Sequence, residues 1–595
     1  MAMGPWSYVL LLSSTALIVG VFIQRKLNEL PELATKADQE YDYIIIGGGS
    51  AGCVLANRLS EDFSKKILLL EAGHDDRNHP TVSIPARAFE SAHSEIDWDY
   101  YTVPQKHALK AFKNQTGWWH RGKILGGTSN VNEMIYTRGL PKDYDSWNIQ
   151  GWTFQDVLPY FLKSEDNENA DFVKTGFHKM GGPLKVGRSK THSLTNFLVR
   201  AGKEMGYKII DINSQWSEGF VEVQSTLRKG IRQSASRAFL YPVLYRKNLD
   251  VLTDSLATQI VFNGKRAVGV KFERNGTLTT VRAKQEVLLS AGTVGSAQLL
   301  LLSGIGPKEH LEKLKIPVVA DLPVGDNLQD RMTYEFPIAI KPAISITQEK
   351  LESFWEQVKY KLVGKGMLAS PNGVEVVAFT NSVTNSEKDW PDLQLQFKGM
   401  LHGESYGNML GLSNETLSEI SARRAFKEGM ACFSSGLRPR SRGSLRLLNT
   451  DPRSQPLIDP NYLAYEEDVE VILTGVKLCK KLLDMPSMKQ IEAVYAEGPT
   501  TACSGFLSGS DDYWRCMIRG RAQPVFSPVG TCRMGDVKQA DTVVDPELRV
   551  KGLKALRVVD SSVIPSIISG ATNIPTIMIA ERAADLIKRN KVADS

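Results

Sequence analysis

The chain has 595 residues, of which 42% are hydrophobic and 23% charged, which excludes a disordered protein and indicates two or more domains. The net charge of +6 is small beside 72 basic and 66 acidic residues, no dense basic run occurs, and no nucleic-acid partner is expected. The six cysteines lack CxxC or Cys/His ligand spacing, so neither a metal site nor a disulfide framework is expected, although a single Cys503–Cys516 bridge stays open.

The N-terminal segment is apolar. Residues 4–23 are uncharged, and Arg25 and Lys26 follow at once. Because this length suits a membrane span better than a signal-peptide core, we expect residues 1–36 to be a membrane anchor and linker; a cleaved signal segment, giving a secreted protein, is the alternative. Positive-inside reasoning on the two basic residues places the rest of the chain on the cytoplasmic side. Three N-glycosylation sequons, about as many as chance gives, leave the compartment open: Asn114, Asn275 and Asn414.

Residues 41–73 are predicted to form a βαβ unit. The apolar run 43–46 indicates a strand buried on both faces of a parallel sheet, and a second run, 67–70, follows an intervening helical pattern. The turn at 47–52 fits G-x-G-x-x-G. The unit is therefore typical of a Rossmann-like dinucleotide-binding fold, and the predicted fold class is α/β.

Four residues of this unit have separate roles in holding a dinucleotide. Gly47 permits the tight turn, Gly49 lets the backbone approach a pyrophosphate, and Gly52 lets the helix pack against the strand. The helix N-terminus then faces the phosphates with free N–H groups and a positive dipole end. Glu71 ends the second strand, 19 residues after Gly52, where a carboxylate accepts hydrogen bonds from ribose hydroxyls.

The later part of the chain mixes strands and helices. Residues 248–274 alternate as strands with a turn at Asn263-Gly264, and 281–291 add a buried strand. The middle of the chain suits a sheet covered by helices on one side. Its predicted elements are a basic amphipathic helix at 349–362 and strands at 392–397 and 443–448. Pro575 is a good first residue for a final helix, 576–588.

Six further blocks of sequence carry a family resemblance. They are Gly122 to Asp145, Gly230 to Pro242, Gly292 to Gly306, Leu437 to Leu447, Val529 to Gly535 and Leu556 to Leu586. In this order they are similar to blocks of the glucose–methanol–choline (GMC) oxidoreductases, and the resemblance runs from about residue 41 to 588. It implies an FAD-binding domain in separated segments (37–160, 230–335 and 524–595) and a sheet-and-helix substrate-binding domain (161–229 and 336–523), an α+β arrangement overall.

The resemblance also implies FAD as cofactor, with a small-molecule substrate and oxygen or quinone as electron acceptor. Val131 stands about where the family's covalent flavin link uses a His, so the FAD is expected to be bound non-covalently. The N-terminus of the final helix would lie against the flavin, where its dipole stabilises an anionic ring. The expected cofactor-binding residues are Gly47, Gly49, Ser50, Ala51, Gly52, Glu71, Arg121, Gly126, Gly127, Thr128, Asn132, Ala257, Asp560, Thr572, Asn573 and Pro575.

The family's catalytic pair is missing. Alcohol oxidation in the family uses a His before Pro-Val-Gly-Thr-Cys and a His or Asn after Ser-Gly, to take the hydroxyl proton while hydride passes to flavin N5. This chain has Ser527 and Ala571 at those two positions, and neither side chain is a base near neutral pH. Arg331 stands where the family often has His, which we interpret as a structural loop substitution.

Three functions are compatible with the missing pair. The favoured one is oxidation of a CH–OH donor with a relocated base, for which His402, Glu404 and Tyr406 are candidates. The second is altered flavin chemistry, either a lyase reaction or light-driven decarboxylation of fatty acids. The third is a catalytically silent FAD-binding protein. The identity of the substrate, and the choice between oxidase and dehydrogenase, are open at this point.

Overall fold

The computed structural model describes residues 30–77, 79, 81–188, 194–214, 218–421, 426–498 and 500–593. The predicted anchor, 4–23, lies outside these residues. Within them, no helix combines the length and the apolar character that a membrane crossing needs.

The strands of the described residues are numbered in chain order. They are β1 (Glu40–Ile46), β2 (Ile67–Leu70), β3 (Tyr100–Tyr101), β4 (Trp118–Trp119), β5 (Glu165–Asn167), β6 (Leu184–Arg188), β7 (Gly219–Glu222), β8 (Gln224–Ser225), β9 (Leu227–Arg228), β10 (Ile231–Arg232), β11 (Leu249–Leu252), β12 (Ser255–Asn263), β13 (Arg266–Arg274), β14 (Thr277–Leu289), β15 (Met332–Ala339), β16 (Val374–Thr380), β17 (Leu393–Lys398), β18 (Gly429–Gly436), β19 (Ser444–Arg446), β20 (Leu457–Asp459), β21 (Val494–Tyr495), β22 (Gln523–Pro524) and β23 (Leu556–Val558).

The α-helices are numbered in the same way. They are α1 (Ser50–Leu59), α2 (Pro141–Asp145), α3 (Phe154–Ser164), α4 (Ala170–Val173), α5 (Leu194–Glu204), α6 (Gly292–Leu302), α7 (Lys308–Lys313), α8 (Gln348–Glu352), α9 (Phe354–Val363), α10 (Glu404–Leu410), α11 (Asn414–Ser421), α12 (Glu466–Leu482), α13 (Pro486–Gln490), α14 (Asp511–Arg521) and α15 (Asn573–Ala593).

The first sheet contains the predicted βαβ unit. Its strands lie in the order β11-β2-β1-β14-β13-β12, with β23 also paired to β14. Strands β11, β2, β1 and the end of β14 are parallel, whereas β14, β13 and β12 form an antiparallel meander with the predicted turn at Asn263-Gly264 between β12 and β13. All four residues of β2 are buried, as the unbroken apolar run predicted. The α/β fold class is confirmed.

Helices α1 and α15 pack on each other, α1 also contacts β1 and β2, and an ion pair between a partly exposed guanidinium and a buried carboxylate joins the two helices. The guanidinium of Arg58 donates to both carboxylate oxygens of Glu581, at 2.8 and 2.7 Å, across 523 residues of sequence. Glu581 is fully buried and also accepts from Ser164 at the end of α3. Since removing one partner of such a pair leaves a buried charge, this contact fixes how the two helices meet.

The second sheet is antiparallel and has the strand order β21-β15-β18-β17-β16-β7, with β22 beside β15. Apolar and polar residues alternate along strand β17, as expected for a strand with one face in the core. Its apolar residues Leu393, Leu395 and Phe397 join the main core, and Gln394, Gln396 and Lys398 line a cavity on the other face. The predicted domain boundaries stay predictions; β15 begins at Met332 and spans the expected change of domain at 335/336.

Two disulfides lie in the second-sheet region. Cys432–Cys479 joins β18 to the helix α12 that packs on it, and Cys503–Cys516 joins a short turn to α14. Expecting no disulfide framework was therefore wrong, because pairing depends on which elements the fold brings together and not on spacing in sequence. Cys53 and Cys532, in the first-sheet region, are reduced and buried.

Three element boundaries differ from the prediction. The amphipathic helix expected at 349–362 is two helices, α8 and α9, separated at Ser353, which caps α9 by accepting from the N–H of Glu356. The final helix begins at Asn573 and not at Pro575; a proline is tolerated there because the first turn needs no backbone donor. The strand expected at 443–448 is limited to β19.

Candidate active site

One cavity of about 320 Å³ is lined by residues of both sheets. It lies at the carboxyl ends of β1 and β2, where open parallel sheets bind their ligands. Of the predicted cofactor-binding residues, the following line it: Gly47, Gly49, Ser50, Ala51, Glu71, Arg121, Gly127, Thr128, Asn132, Ala257, Asp560, Thr572 and Asn573. Gly52, Gly126 and Pro575 are not among the lining residues and lie in the elements behind them.

The glycines of the first turn differ in what surrounds them. At Gly47, with φ of 98°, an added Cβ would lie 2.5 Å from the carbonyl oxygen of Ser290, and at Gly52 it would overlap the carbonyl oxygen of Gly47. At Gly49 the nearest atom is the Cα of Gly127, at 3.9 Å. Packing therefore requires glycine at Gly47 and Gly52, whereas the open space at Gly49 faces the cavity, as a pyrophosphate cradle needs.

A second glycine turn closes on the first. Gly127 has φ of 55°, and a Cβ there would lie 2.8 Å from the Cα of Gly49. The N–H of Gly126 donates to the carbonyl of Gly48 at 2.7 Å, so the two turns are bonded to each other. Two backbone segments with small or no side chains therefore form one wall of the cavity, which suits a phosphate or a flat ring.

Glu71 ends β2 with its carboxylate held by backbone. One oxygen accepts from the N–H of Gly48 at 2.7 Å and the other from the N–H of Gly73 at 2.8 Å. Burial raises the pKa of Glu71 to about 7, although both backbone donors act in the opposite direction. The carboxylate lines the cavity beside the glycine turn, the position that recognition of a ribose requires.

The C-terminal segment completes the cofactor end. Ser50, at the start of α1, donates to the side chain of Asn573 at 2.6 Å, which joins the N-termini of α1 and α15. Asp560 accepts from the N–H of Gly292 at 2.9 Å and from Ser296 at 2.6 Å, and burial raises its pKa. The glycine turns, the carboxylate of Glu71 at the ribose position and the N-termini of α1 and α15 fit an FAD. These groups would hold the cofactor.

The positions of the missing pair lie in the same cavity. Ser527 and Ala571 both line it. The segments that carry them are hydrogen-bonded to two consecutive residues, Asp330 and Arg331. Asp330 accepts from the N–H of Ser527 at 2.8 Å, and Arg331 donates through Nη2 to the carbonyl oxygen of Gly570 at 2.6 Å. Arg331, interpreted from the sequence as a loop substitution, is therefore part of the cavity wall.

The three predicted base candidates are only partly brought to the site. Tyr406 lines the cavity, but His402 lies in a separate cavity of about 20 Å³, stacked on the Tyr406 ring at 3.9 Å between centroids. Glu404 lines neither cavity and accepts from Ser421. In the sequence these residues are neighbours, but His402 precedes α10, and Glu404 and Tyr406, two positions apart on that helix, do not share a face.

His120 lines the cavity and was missed by the sequence reasoning. Burial lowers its pKa to about 3, helped by the charge of Arg121, so the imidazole is neutral. Ser91 donates to the carbonyl of Ala88 at 2.8 Å, so the 3.2 Å contact between His120 Nε2 and Ser91 Oγ is donated by the ring. Nδ1 is then the acceptor nitrogen. The available signal was its place directly before Arg121, in a stretch without periodicity.

The far end of the cavity is formed by the second sheet and contains a buried ion pair. Glu133 pairs with Lys398 and accepts from Asn372 at 2.9 Å and Gln396 at 2.8 Å. Burial raises the pKa of Glu133, but the Lys398 ammonium and the hydrogen bonds outweigh it, and the pKa is lower than usual. The ammonium also lies 4.9 Å from the centre of the Phe433 ring, a cation–π contact.

Comparisons with known proteins agree with this geometry. Two family models described as GMC oxidoreductase match residues 41–333 and 439–580. The chain belongs to the GMC oxidoreductase family. It is 38% identical to glucose dehydrogenase [FAD, quinone] of Drosophila melanogaster, over 93% of this chain and 88% of that protein. It is also 38% identical to alcohol dehydrogenase [acceptor] of Pseudomonas putida, over 92% of this chain and 96% of that protein.

Solved structures of GMC proteins share the fold. Formate oxidase of Aspergillus oryzae superposes with a TM-score of 0.81 at 25% identity, covering 93% of this chain and 99% of that one. This GMC chain is thus an oxidoreductase by family, and the predicted fold is confirmed.

Proposed function

We propose that this GMC protein is an FAD-dependent oxidoreductase that oxidises a CH–OH donor in the cavity, although Ser527 and Ala571 replace the usual catalytic pair. The observation that carries the proposal is the continuity of the cavity. A single space runs from the cradle at Gly49 past Ser527 and Ala571 to the polar residues of β17. Cofactor and substrate would therefore share one cavity, as a reaction between them requires.

The residues of the cavity divide the work. Gly49 and Gly127 admit the phosphates, Glu71 accepts from the ribose, and the N-terminus of α15 favours negative charge beside it. When bound, FAD supplies the acceptor for the hydride of the donor carbon. Val131, at the place of the family's covalent link, supports non-covalent binding.

The hydroxyl proton needs an acceptor, and His120 is the best placed in the described part of the chain. It is buried, lines the cavity and is neutral, with Nε2 held by Ser91 and Nδ1 left as the acceptor. A pKa of about 3 makes it a weak base at neutral pH, so slow oxidation is expected. His120→Gln should reduce the rate of anaerobic flavin reduction by about 10²–10⁴. His107→Gln, a histidine outside the cavity, is the matched control.

Anaerobic flavin reduction by a panel of donors tests the whole proposal. Polyols, sugars, choline, aryl alcohols and aliphatic alcohols are mixed with the purified holoprotein, and flavin absorbance is followed. Reduction by at least one of them is expected. No reduction in the dark, with light-dependent loss of a fatty acid, would contradict the proposal and favour altered chemistry; no reaction of either kind would favour a silent FAD-binding protein.

We propose oxygen or a quinone as the electron acceptor. The name of the Drosophila relative, glucose dehydrogenase [FAD, quinone], supports the second. Reoxidation of the reduced protein by air-saturated buffer, compared with reoxidation by a soluble quinone under nitrogen, separates the two.

We also propose that the chain is held at a membrane through residues 4–23, or is secreted if that segment is cleaved, with the folded part in an oxidising compartment. Two observations support the compartment: four of six cysteines are paired, and the sequon residues Asn114, Asn275 and Asn414 are all exposed. This compartment is opposite to the one that positive-inside reasoning favours. Extraction with carbonate tests the anchor, and a mass decrease on treatment with an N-glycosidase tests the compartment. A glycan-free protein with six free thiols would contradict the proposal.

A further inference from the structure

Arg331 is a buried cation in the cavity wall. Its side chain is among the largest that are fully buried, with 2% of the residue exposed. It makes one hydrogen bond, from Nη2 to the carbonyl oxygen of Gly570, and among the described residues its Nε–H has no acceptor. A guanidinium has five N–H donors in a rigid fork, and this one lines the cavity while only one of its donors has an acceptor among the described residues.

The carboxylates nearest to Arg331 are committed elsewhere. Asp330 accepts from the N–H of Ser527 at 2.8 Å and from the hydroxyl of Tyr462 at 2.6 Å. Asp143 accepts from the N–H and hydroxyl of Ser569, both at 2.8 Å. Both act on Arg331 only through space. The local charge of the guanidinium is therefore not neutralised by an ion pair with either of them.

Three other cations show a contrast, whereas Arg121, a predicted cofactor-binding residue of the cavity, likewise donates to one carbonyl, that of Phe526, at 3.0 Å. Arg138 pairs with Glu165 at 2.7 Å, and Lys398 pairs with Glu133. Arg232 has no such pair, but it lies outside the cavity lining and donates to the carbonyls of Val82, Ser129 and Asn132. Since an uncompensated buried charge is strongly unfavourable, a cavity-lining guanidinium with one carbonyl partner is built for an anion that is not part of the chain.

We propose that Arg331 binds a carboxylate of the substrate, so that the CH–OH donor of this enzyme is a hydroxy acid. The inference rests on the proposed function. The guanidinium fork matches the two oxygens of a carboxylate, which a neutral alcohol or an amide does not offer. Ser527 and Ala571, small side chains on the two segments that Asp330 and Arg331 contact, leave room for that group. Burial lowers the pKa of Arg331 to about 10, so it stays protonated at neutral pH.

Equilibrium binding to the holoprotein tests the carboxylate without turnover. Acetate, octanoate and benzoate are titrated against their neutral isosteres acetamide, octanamide and benzamide, and the visible absorbance of bound flavin is the readout. We expect at least one carboxylate to perturb the spectrum with an affinity on the order of 10–100-fold above that of its amide. Equal affinity of every acid and its amide would overturn the proposal.

Variants then assign the effect to Arg331. Arg331→Gln should remove the preference for the acid, and Arg331→Lys should keep part of it because charge remains while the fork is lost. Arg438→Gln is the matched control, because the half-buried Arg438 is likewise bonded to backbone carbonyls but does not line the cavity. An acid preference that survives in Arg331→Gln with full flavin content would overturn the proposal.

The outcome is separable from that of the proposed function. Acid-selective binding together with no flavin reduction by lactate, 2-hydroxyoctanoate or mandelate would support the role of Arg331 and contradict oxidation of a hydroxy acid. Flavin reduction by neutral alcohols, together with no acid preference, would support the proposed function and overturn the carboxylate site.

Discussion

The two ends of the cavity are built in different ways. At the cofactor end the contacts come from the backbone: Gly49 and Gly127 bring two turns together, and Glu71 is held by two N–H groups. At the substrate end they come from side chains, as in the Glu133–Lys398 pair and the single hydrogen bond of Arg331. The spacing of glycines within one stretch of sequence specifies the cofactor end. The substrate end forms only when segments distant in sequence come together.

The difference teaches which substitutions the family fold tolerates. A side chain at Gly52 overlaps the backbone, so the cofactor end has little freedom to vary. Ser527 and Ala571, at the predicted positions of the family's pair, lie on segments that Asp330 and Arg331 hold by hydrogen bonds. Fold and cofactor binding are therefore retained while the chemistry of the substrate end changes.

The sharpest test of this comparison is Gly49→Val. An added Cβ has no neighbouring atom closer than 3.9 Å and faces the cavity, so the fold should persist while the pyrophosphate is excluded. We expect complete loss of bound flavin, with a melting temperature close to that of the flavin-free unmodified protein. Gly505→Val, at an exposed glycine with nothing near its Cβ, is the control. Retention of yellow colour by the Gly49 variant would show that the cradle assignment is wrong.

The second test restores side chains at the substrate end. Ser527→His with Ala571→Asn supplies a proton acceptor and a hydrogen-bond donor in the cavity, and a positioned base contributes about 10²–10⁴ in rate. Anaerobic flavin reduction by a donor found active in the panel should become faster by that order. Ser527→Ala should leave the rate unchanged. If the double variant were no faster than the unmodified protein, the two restored side chains would not take part in the reaction, and His120 would remain its proton acceptor.

The third test compares how cysteine substitutions in the first-sheet and second-sheet regions change the free energy of unfolding. Replacing Cys432 and Cys479 by alanine removes a link over 47 residues, which contributes about 4 kcal/mol in the chain-entropy description, and the 13-residue link Cys503–Cys516 about 3 kcal/mol. Denaturant unfolding should show both losses, in that order. Cys53→Ala, at a reduced cysteine of the first-sheet region, removes no link and should change the unfolding free energy less. The reverse order would contradict the entropic account.

The smallest expected effect concerns Glu71. Ribose hydroxyls donate to the carboxylate more strongly than to the carboxylic acid, and burial raises the pKa of Glu71 to about 7. FAD binding to the apoprotein should therefore release a proton and tighten as the pH rises through 7. Glu71→Gln should weaken binding by about 1–3 kcal/mol and remove this pH dependence. A pH profile identical in the two proteins would exclude Glu71 as its origin.

The sequence predicted much of the cofactor end and little of the substrate end, for physical reasons. The strand at 43–46, the turn at 47–52 and Glu71 belong to one local βαβ unit, which its apolar runs and glycine spacing predict from the sequence. By contrast, Glu133 meets Gln396 across 263 residues, and Cys432 meets Cys479 only because α12 packs on β18. His120 and Arg331 are site residues because the fold buries them in the cavity wall, and the burial of a single residue cannot be read from the sequence.

The ion pair between Arg58 and Glu581 also sets the order in which the molecule is completed during synthesis. The βαβ unit leaves the ribosome first, yet α1 lacks the partner of its guanidinium until the segment that carries Glu581 has been made. Closing a loop of 523 residues is slow compared with forming local contacts. The nascent chain therefore exposes the apolar face of α1 throughout translation, and we expect it to depend on chaperones until the final helix docks.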